Sequence, residues 1–247
     1  MITSPDNEKL KLVRKLRLKK HRAKLALFLT EGEDLVRSGF ASGLKPRALL
    51  TRPGFEPEGP DGGPAEHEEV EPDLLDRVSA TGSGTRVIGI WPQRWESAER
   101  LSGTCLFLDA VGDPGNMGTI IRTVDALLEA TVVVGPDCVD PYAPGSVRAS
   151  MGSIFGQPLV RATIEQTPEP RIAMVVSGGE APGPLRAPVT ICLGSEREGL
   201  SPAVLDHCGL SWTVRQRKQG AESLNVAAAA AIACERISSP MAAGESS

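Results

Sequence analysis

Histidine is scarce in this sequence: only His21, His67 and His207 occur in 247 residues, the first in a basic run and the second in an acidic stretch. Neither a zinc site nor a Ser/His/Asp triad therefore has its parts. The five cysteines (Cys105, Cys138, Cys192, Cys208 and Cys234) are odd in number, widely spaced and without a CxxC pair. That excludes a disulfide framework and a metal knuckle, and it suits a reducing cytoplasm. No apolar run approaches the ~20 residues that span a bilayer, and the opening MITSPDNEK lacks the apolar stretch of a signal peptide. A soluble, cytoplasmic protein with no membrane partner and no metal is the expectation. Excess positive charge is also missing, since 27 Lys and Arg stand against 31 Asp and Glu for a net charge of −4. A polycation that coats nucleic acid is excluded, and any basic surface must be local.

What is present is a globular composition, 40% hydrophobic, long enough for one large or two modest domains. Lys9 to Lys24 (KLKLVRKLRLKKHRAK) carries nine Lys or Arg and no carboxylate, with Leu12, Val13 and Leu16 spaced for one apolar stripe, and so predicts a single cationic helix. A strand at Ala26–Leu29, a helix from Glu31 to Phe40, a strand at Arg47–Thr51, a helix around Leu74–Val78 and a strand at Arg86–Trp91 complete a first α/β unit, residues 1–95. Within it, Pro53 to Pro72 is rich in Gly, Pro and Glu and reads as a surface loop. Pro92–Ser102 reads as a linker. The apolar runs Cys105–Leu108, Thr131–Val134, Ile172–Val176, Val189–Leu193 and Trp212–Val214 then lose alternation, as expected of strands buried on both faces of a mostly parallel sheet. These define a second α/β domain, residues 103–237, whose ligand should lie beyond the carboxyl ends of the strands. Residues 238–247 read as a flexible tail.

Three stretches of the second domain carry the chemistry. DPGNMGTIIR (Asp113–Arg122) follows a buried strand, with a glycine-bearing turn that holds Asn116 and a helix that holds Arg122 in its first turns. A cation there opposes the helix dipole, so an anionic partner is expected to offset it. ICLGSEREGLSP (Ile191–Pro202) is a second strand emptying into a loop with Gly194, Glu196 and Gly199, where backbone amides can approach a ligand closely. ESLNVAAAAAIACERI opens a helix at Ser223 that Ser223 or Asn225 could cap and whose alanines permit close packing. The dinucleotide fingerprint GxGxxG is absent, which argues against an ordinary nucleotide-binding enzyme.

In this order and spacing, DPGNMGTIIRT, LGSEREGLS and SLNVAAA resemble the three motifs of the SpoU (TrmH) family of S-adenosylmethionine-dependent RNA 2′-O-ribose methyltransferases, in the SPOUT superfamily. The segment DCVDPYAPGSVRASMGSIFGQPLV resembles the family's stretch after motif one. The N-terminal ITSPDNEKLKLVRKLR and LFLTEGEDLV resemble the small ribosomal-protein-like RNA-binding domain that many members carry. The resemblance implies a C-terminal trefoil knot, which ordinary topology rules would reject, and a homodimer packed through the knotted domain. It places the cofactor S-adenosylmethionine against Leu193, Gly194, Glu196, Gly199, Val214, Ser223 and Leu224, and it marks Asn116, Arg122, Glu196 and Asn225 as the catalytic set. RNA, ribosomal rather than transfer, is the implied substrate, with Lys15, Arg17, Lys19, Lys20, Arg22 and Arg148 as contacts to its phosphates.

Methyl transfer to a ribose hydroxyl is an in-line displacement that requires alignment and help in removing a proton. An arginine with a pKa above ~12 is a poor base, so phosphate binding is the expected role of Arg122, with Asn116 and Asn225 fixing geometry and Glu196 orienting its neighbours. Two departures from the family pattern touch the cofactor loops. Arg197 stands where members often have Gly, and Val214 followed by RQRKQ (215–219) replaces the usual Ile-Pro-Met. The rival expectation is a noncatalytic RNA-binding protein that keeps the knot without turnover.

Overall fold

The computed structural model describes residues 1–57, 66–183, 185, 188–217 and 223–238. In chain order its helices are α1 (Glu8–Leu16), α2 (Lys19–Leu25), α3 (Glu33–Ala41), α4 (Pro72–Val78), α5 (Pro114–Leu127), α6 (Pro144–Ala149), α7 (Pro202–Leu205) and α8 (Val226–Ser238). The strands are β1 (Leu27–Glu31), β2 (Ala48–Thr51), β3 (His67–Glu69), β4 (Val87–Pro92), β5 (Cys105–Leu108), β6 (Thr131–Val134), β7 (Leu159–Arg161), β8 (Arg171–Met174), β9 (Thr190–Leu193) and β10 (Leu210–Trp212). The chain forms two compact units: Met1–Arg94 with Asp140–Gly156, and Trp95–Val139 with Gln157–Ser247. Among the described residues no helix is long and apolar enough to cross a membrane.

In the first unit, β1, β4, β2 and β3 form one sheet in that order, covered by Leu10, Val13 and Leu16 of α1 and Leu74, Leu75 and Val78 of α4. The basic stretch is two helices rather than one. Leu18 is extended and half exposed between α1 and α2, and the carbonyls left at the end of α1 are taken up from the side, because Arg22 Nη1 donates to Leu16 O (2.9 Å) and Arg17 O (2.8 Å). Arg22 Nε also donates to Asp140 Oδ2 at 2.7 Å, and both residues are buried. Arg22 is therefore a structural cation and is removed from the set of RNA contacts. Lys15, Arg17, Lys19, Lys20 and, on α6, Arg148 are exposed.

The sequence boundaries and the packing differ in one segment. Asp140–Gly156, read with the second domain, packs in the first unit because it completes that unit's core. Tyr142 lies 4.8 Å from Phe28 between ring centroids and donates its hydroxyl to Arg94 O, while Phe155 stacks edgewise on Trp91 at 4.8 Å. A strand inside the predicted loop was also missed. The polar run HEE of β3 pairs with β2 as an exposed edge, pinned by Lys9 Nζ to Glu66 (2.7 Å) and Glu68 (2.8 Å). Residues 58–65 of that loop and 239–247 of the tail lie outside the described residues.

The second unit is a six-stranded, wholly parallel sheet in the order β10-β8-β9-β5-β6-β7. All of β5 and β9 is buried, as their unalternating apolar sequence requires. The short edge strand β7 was not anticipated, since Leu159 and Val160 form too brief a run to stand out. Helix α8 packs on α5, and its buried residues Ala227, Ala230, Ala233 and Cys234 recur at i, i+3, i+6 and i+7, so small side chains line the contact.

Removing one partner of a buried ion pair leaves an uncompensated charge and typically costs about 3–5 kcal/mol. Asp140→Ala should destabilise the first unit by that order in urea unfolding, and a loss below ~1 kcal/mol would show that Arg22 is held by its carbonyl bonds alone.

Candidate active site

The site is built where β5, β8, β9 and β10 end. After β5 the chain turns at Asp113, whose carboxylate caps α5 by accepting the Asn116 N–H at 2.8 Å, with Pro114 at the first helical position. Asn116 therefore lies in the first turn of the helix rather than in the loop before it. Its side chain is used at both ends: Nδ2 donates to Glu196 Oε1 at 2.6 Å, and Oδ1 accepts Nδ2 of Asn225 at 2.9 Å. Asn225 in turn caps α8, its Oδ1 accepting the Ala227 N–H at 2.9 Å. Of the two capping candidates read from the sequence, Asn225 is the one used. One amide thus joins its own segment to two others that lie 80 and 109 residues from it along the chain.

The loop after β9 is closed by its own backbone. Ser195 and Gly199 exchange N–H···O bonds at 3.0 Å in both directions, and Gly199 takes φ +72°, a left-handed conformation that favours glycine. A Cβ on Gly194 would lie 2.1 Å from the Gly199 carbonyl carbon, so no other residue fits there without moving the loop. Asp109, buried at the end of β5, accepts the Ser201 N–H at 2.6 Å and fixes the far end of the same loop. The sequence reading passed over Asp109. Its signal was a carboxylate placed directly against a fully apolar strand.

These loops enclose a cavity of about 550 Å³. All seven residues expected to hold a cofactor (Leu193, Gly194, Glu196, Gly199, Val214, Ser223 and Leu224) line it. Met174, Val175 and Val176 from the end of β8, and Val226 and Ala229 from α8, add apolar wall that the motifs alone did not disclose. Arg197 and Gln216 also line it, so both departures from the family pattern reach the cavity; Lys218 and Gln219 lie outside the described residues.

Glu196 sits at the rim with its carboxyl held below the usual range. Burial pushes its pKa up, and the hydrogen bonds from Asn116 and from the backbone N–H groups of Glu196, Gly112 and Asp113 outweigh that. Arg122 behaves differently from the other three polar motif residues. It is the ninth residue of α5, in mid-helix, so the expected opposition to the helix N-terminus does not arise. Six helical residues separate it from Asn116 by roughly 9 Å of rise and ~240° of rotation. It is exposed, does not line the cavity, and makes no hydrogen bond or ion pair among the described residues. All five cysteines are free, and no His, Cys, Asp or Glu cluster among the described residues could hold a metal.

Because those hydrogen bonds favour the charged form, Glu196 contributes stability above the ordinary carboxyl pKa, and that contribution is lost as pH falls through the lowered value. Asn116→Ala should move the Glu196 titration upward in carbon-detected NMR. An unchanged titration would mean that the amide does not control the carboxylate.

Comparison with known proteins agrees with this geometry. Residues 103–235 match the SpoU rRNA Methylase family, and residues 7–89 match an MRM3-like substrate binding domain. The chain is 32% identical over 243 residues to the 23S rRNA (guanosine(2553)-2′-O)-methyltransferase RlmP of Bacillus subtilis, covering 94% of this chain and 96% of that one. An AdoMet-bound rRNA methyltransferase from Sinorhizobium meliloti superposes with a TM-score of 0.79 at 28% identity over 94% of this chain and 95% of that one. The SpoU methyltransferase AviRb from Streptomyces viridochromogenes, at 24% identity, a TM-score of 0.80 and coverage of 93% and 96%, shares the fold. Capped α5, the glycine loop after β9 and the Asn225-capped α8 are the parts that the family match spans, and the chain belongs to the SpoU rRNA methylase family.

Proposed function

We propose that this protein transfers a methyl group from S-adenosylmethionine to a ribose 2′-hydroxyl of ribosomal RNA. The observation that carries the reading is the Glu196–Asn116–Asn225 tie at the mouth of a cavity formed by the strand ends. The residues present fit the donor. Apolar side chains Met174, Val175, Leu193 and Leu224 suit an adenine ring, Gly194 and Gly199 expose backbone to it, and an ionised Glu196 at the rim favours a cationic ligand. The names of the relatives, an rRNA 2′-O-methyltransferase among sequences and an AdoMet-bound enzyme among structures, support the same donor and substrate class.

When bound, the sulfonium group supplies a methyl whose departure from sulfur needs no acid. The protein's own work is then positioning and charge. Asn116 and Asn225 hold each other's amide orientation, so the three loops present one fixed rim to the ribose. Glu196 is fully committed to that rim and, with its pKa lowered, is a weak base. Arg122, without a partner among the described residues, binds the phosphate of the target nucleotide and lowers the cost of charge developing on the ribose oxygen as the hydroxyl proton leaves to solvent. The exposed Lys15, Arg17, Lys19 and Lys20 in the substrate-binding domain contact RNA phosphates, and Arg148 does so from α6. The C-terminal segment threads as a trefoil knot, two copies pair through that region, and the enzyme works in the compartment that holds the ribosomes.

Methyl incorporation from labelled donor into protein-free ribosomal RNA, with mapping of 2′-O-methyl sites in cells with and without the protein, tests the reading; donor binding without incorporation into any RNA would favour the noncatalytic rival. Arg122→Lys keeps the charge and loses the two-pronged geometry. Its single-turnover methylation should fall roughly 10- to 100-fold, because charge-assisted hydrogen bonds are worth about 1.5–3 kcal/mol. A near-normal rate would contradict the phosphate clamp.

A further inference from the structure

Aromatic side chains are few here, and seven of the nine are buried: Phe28, Phe40, Trp91, Phe107, Tyr142, Phe155 and Trp212. The two that are not, Phe55 and Trp95, each carry an arginine guanidinium over the ring, Arg86 at 4.6 Å and Arg161 at 3.9 Å. Phe55 also lines a cavity of about 160 Å³, together with Glu33, Arg37, Glu56 and Arg86. The framework of that cavity is held in place. Gly54, at φ +71°, donates its N–H to Glu69 of β3 at 2.8 Å, which fixes the turn that presents Phe55. Glu33, at the start of α3, accepts from Arg86 Nη1 at 3.0 Å and so restrains the guanidinium whose central carbon lies over the ring. Glu56 makes no hydrogen bond or ion pair among the described residues.

From this juxtaposition we infer that the Phe55–Arg86 cavity takes one unstacked nucleobase of the substrate RNA, guanine in preference to the others. The inference rests on the proposed function, since it names where the substrate-binding domain reads its RNA. Single-stranded bases stack on aromatic rings and guanidinium planes, and the stack is what gives loops of RNA a binding site on a protein. The cavity has room for one base. Guanine is the base whose Watson–Crick edge offers two adjacent donors, N1–H and the N2 amine, and a carboxylate accepts such a pair at both oxygens. The uncommitted carboxylate of Glu56 supplies that acceptor, while adenine, cytosine and uracil present no matching pair of donors.

Titrating the four ribonucleoside 5′-monophosphates into the isotopically labelled full chain tests the site. Guanosine monophosphate should move the backbone amides of Gly54, Phe55, Arg86 and Val87 at lower concentration than the other three. Equal shifts with all four, or none at these positions, would overturn the proposal. Phe55→Leu keeps an apolar side chain and loses the ring. It should raise the concentration of protein-free ribosomal RNA needed for half-maximal methylation on the order of tenfold, with S-adenosylmethionine affinity by calorimetry unchanged. Should that variant fail to fold, Arg86→Lys keeps the charge without the flat plane and should give the same shift. Wild-type RNA dependence in either folded variant overturns the pocket and leaves the methyltransferase reading standing. Absence of methylation by the wild type, with the guanosine monophosphate shifts present, overturns the activity and leaves the pocket standing.

Discussion

The carboxamide of Asn116 has one oxygen and one nitrogen, and the structure uses both to hold segments that are remote in sequence. Its nitrogen faces Glu196 and its oxygen faces Asn225, so the amide cannot flip without losing two hydrogen bonds at once. Each such bond contributes only about 1 kcal/mol net. The stability of the unit comes instead from the buried strands β5 and β9 and from α5 packed against α8. What the amide adds is a single relative placement for the start of α5, the glycine loop after β9 and the start of α8. The cavity exists only while all three stay there.

A division of labour follows among the polar residues. Asn116, Asn225, Asp109 and Glu196 all have protein partners, and each of those bonds sets the position of a loop or helix end. Arg122 has none among the described residues. Exposed in the middle of α5, it is open to a partner from outside, and an RNA phosphate is the one proposed for it. In the first unit Arg22 is consumed internally by Asp140, while Lys15 and Lys20 are exposed.

Period and run length carried most of the architecture. Unalternating apolar stretches located β5, β6, β8, β9 and β10 within two residues and put the ligand beyond the strand ends, while the residues that line the cavity came from the resemblance of three ordered motifs to the SpoU family. Features that depend on a distant partner were not legible. The break between α1 and α2 is stabilised by Arg22, whose position depends on Asp140 in another part of the chain, and nothing local marks it. For the same reason Asp140–Gly156 could not be assigned to the first unit: its Tyr142 and Phe155 are core residues only because Phe28 and Trp91 await them. Strand β3 escaped because an edge strand needs no apolar pattern, only a neighbour's open edge. Placing Arg122 in mid-helix followed from where the helix begins, which a two-residue uncertainty in the cap is enough to obscure.

The central claim is that the loop after β9 forms a donor cavity whose shape depends on the absence of a side chain at position 194. Calorimetric titration with S-adenosylhomocysteine, comparing the wild type with Gly194→Ala, tests it most directly, since the added Cβ would meet the Gly199 carbonyl carbon at 2.1 Å. The account predicts one molecule bound per wild-type chain and binding lost, or weakened by at least about a hundredfold, in a variant that remains folded. No binding by the wild type, or equal affinity in the two proteins, would contradict it.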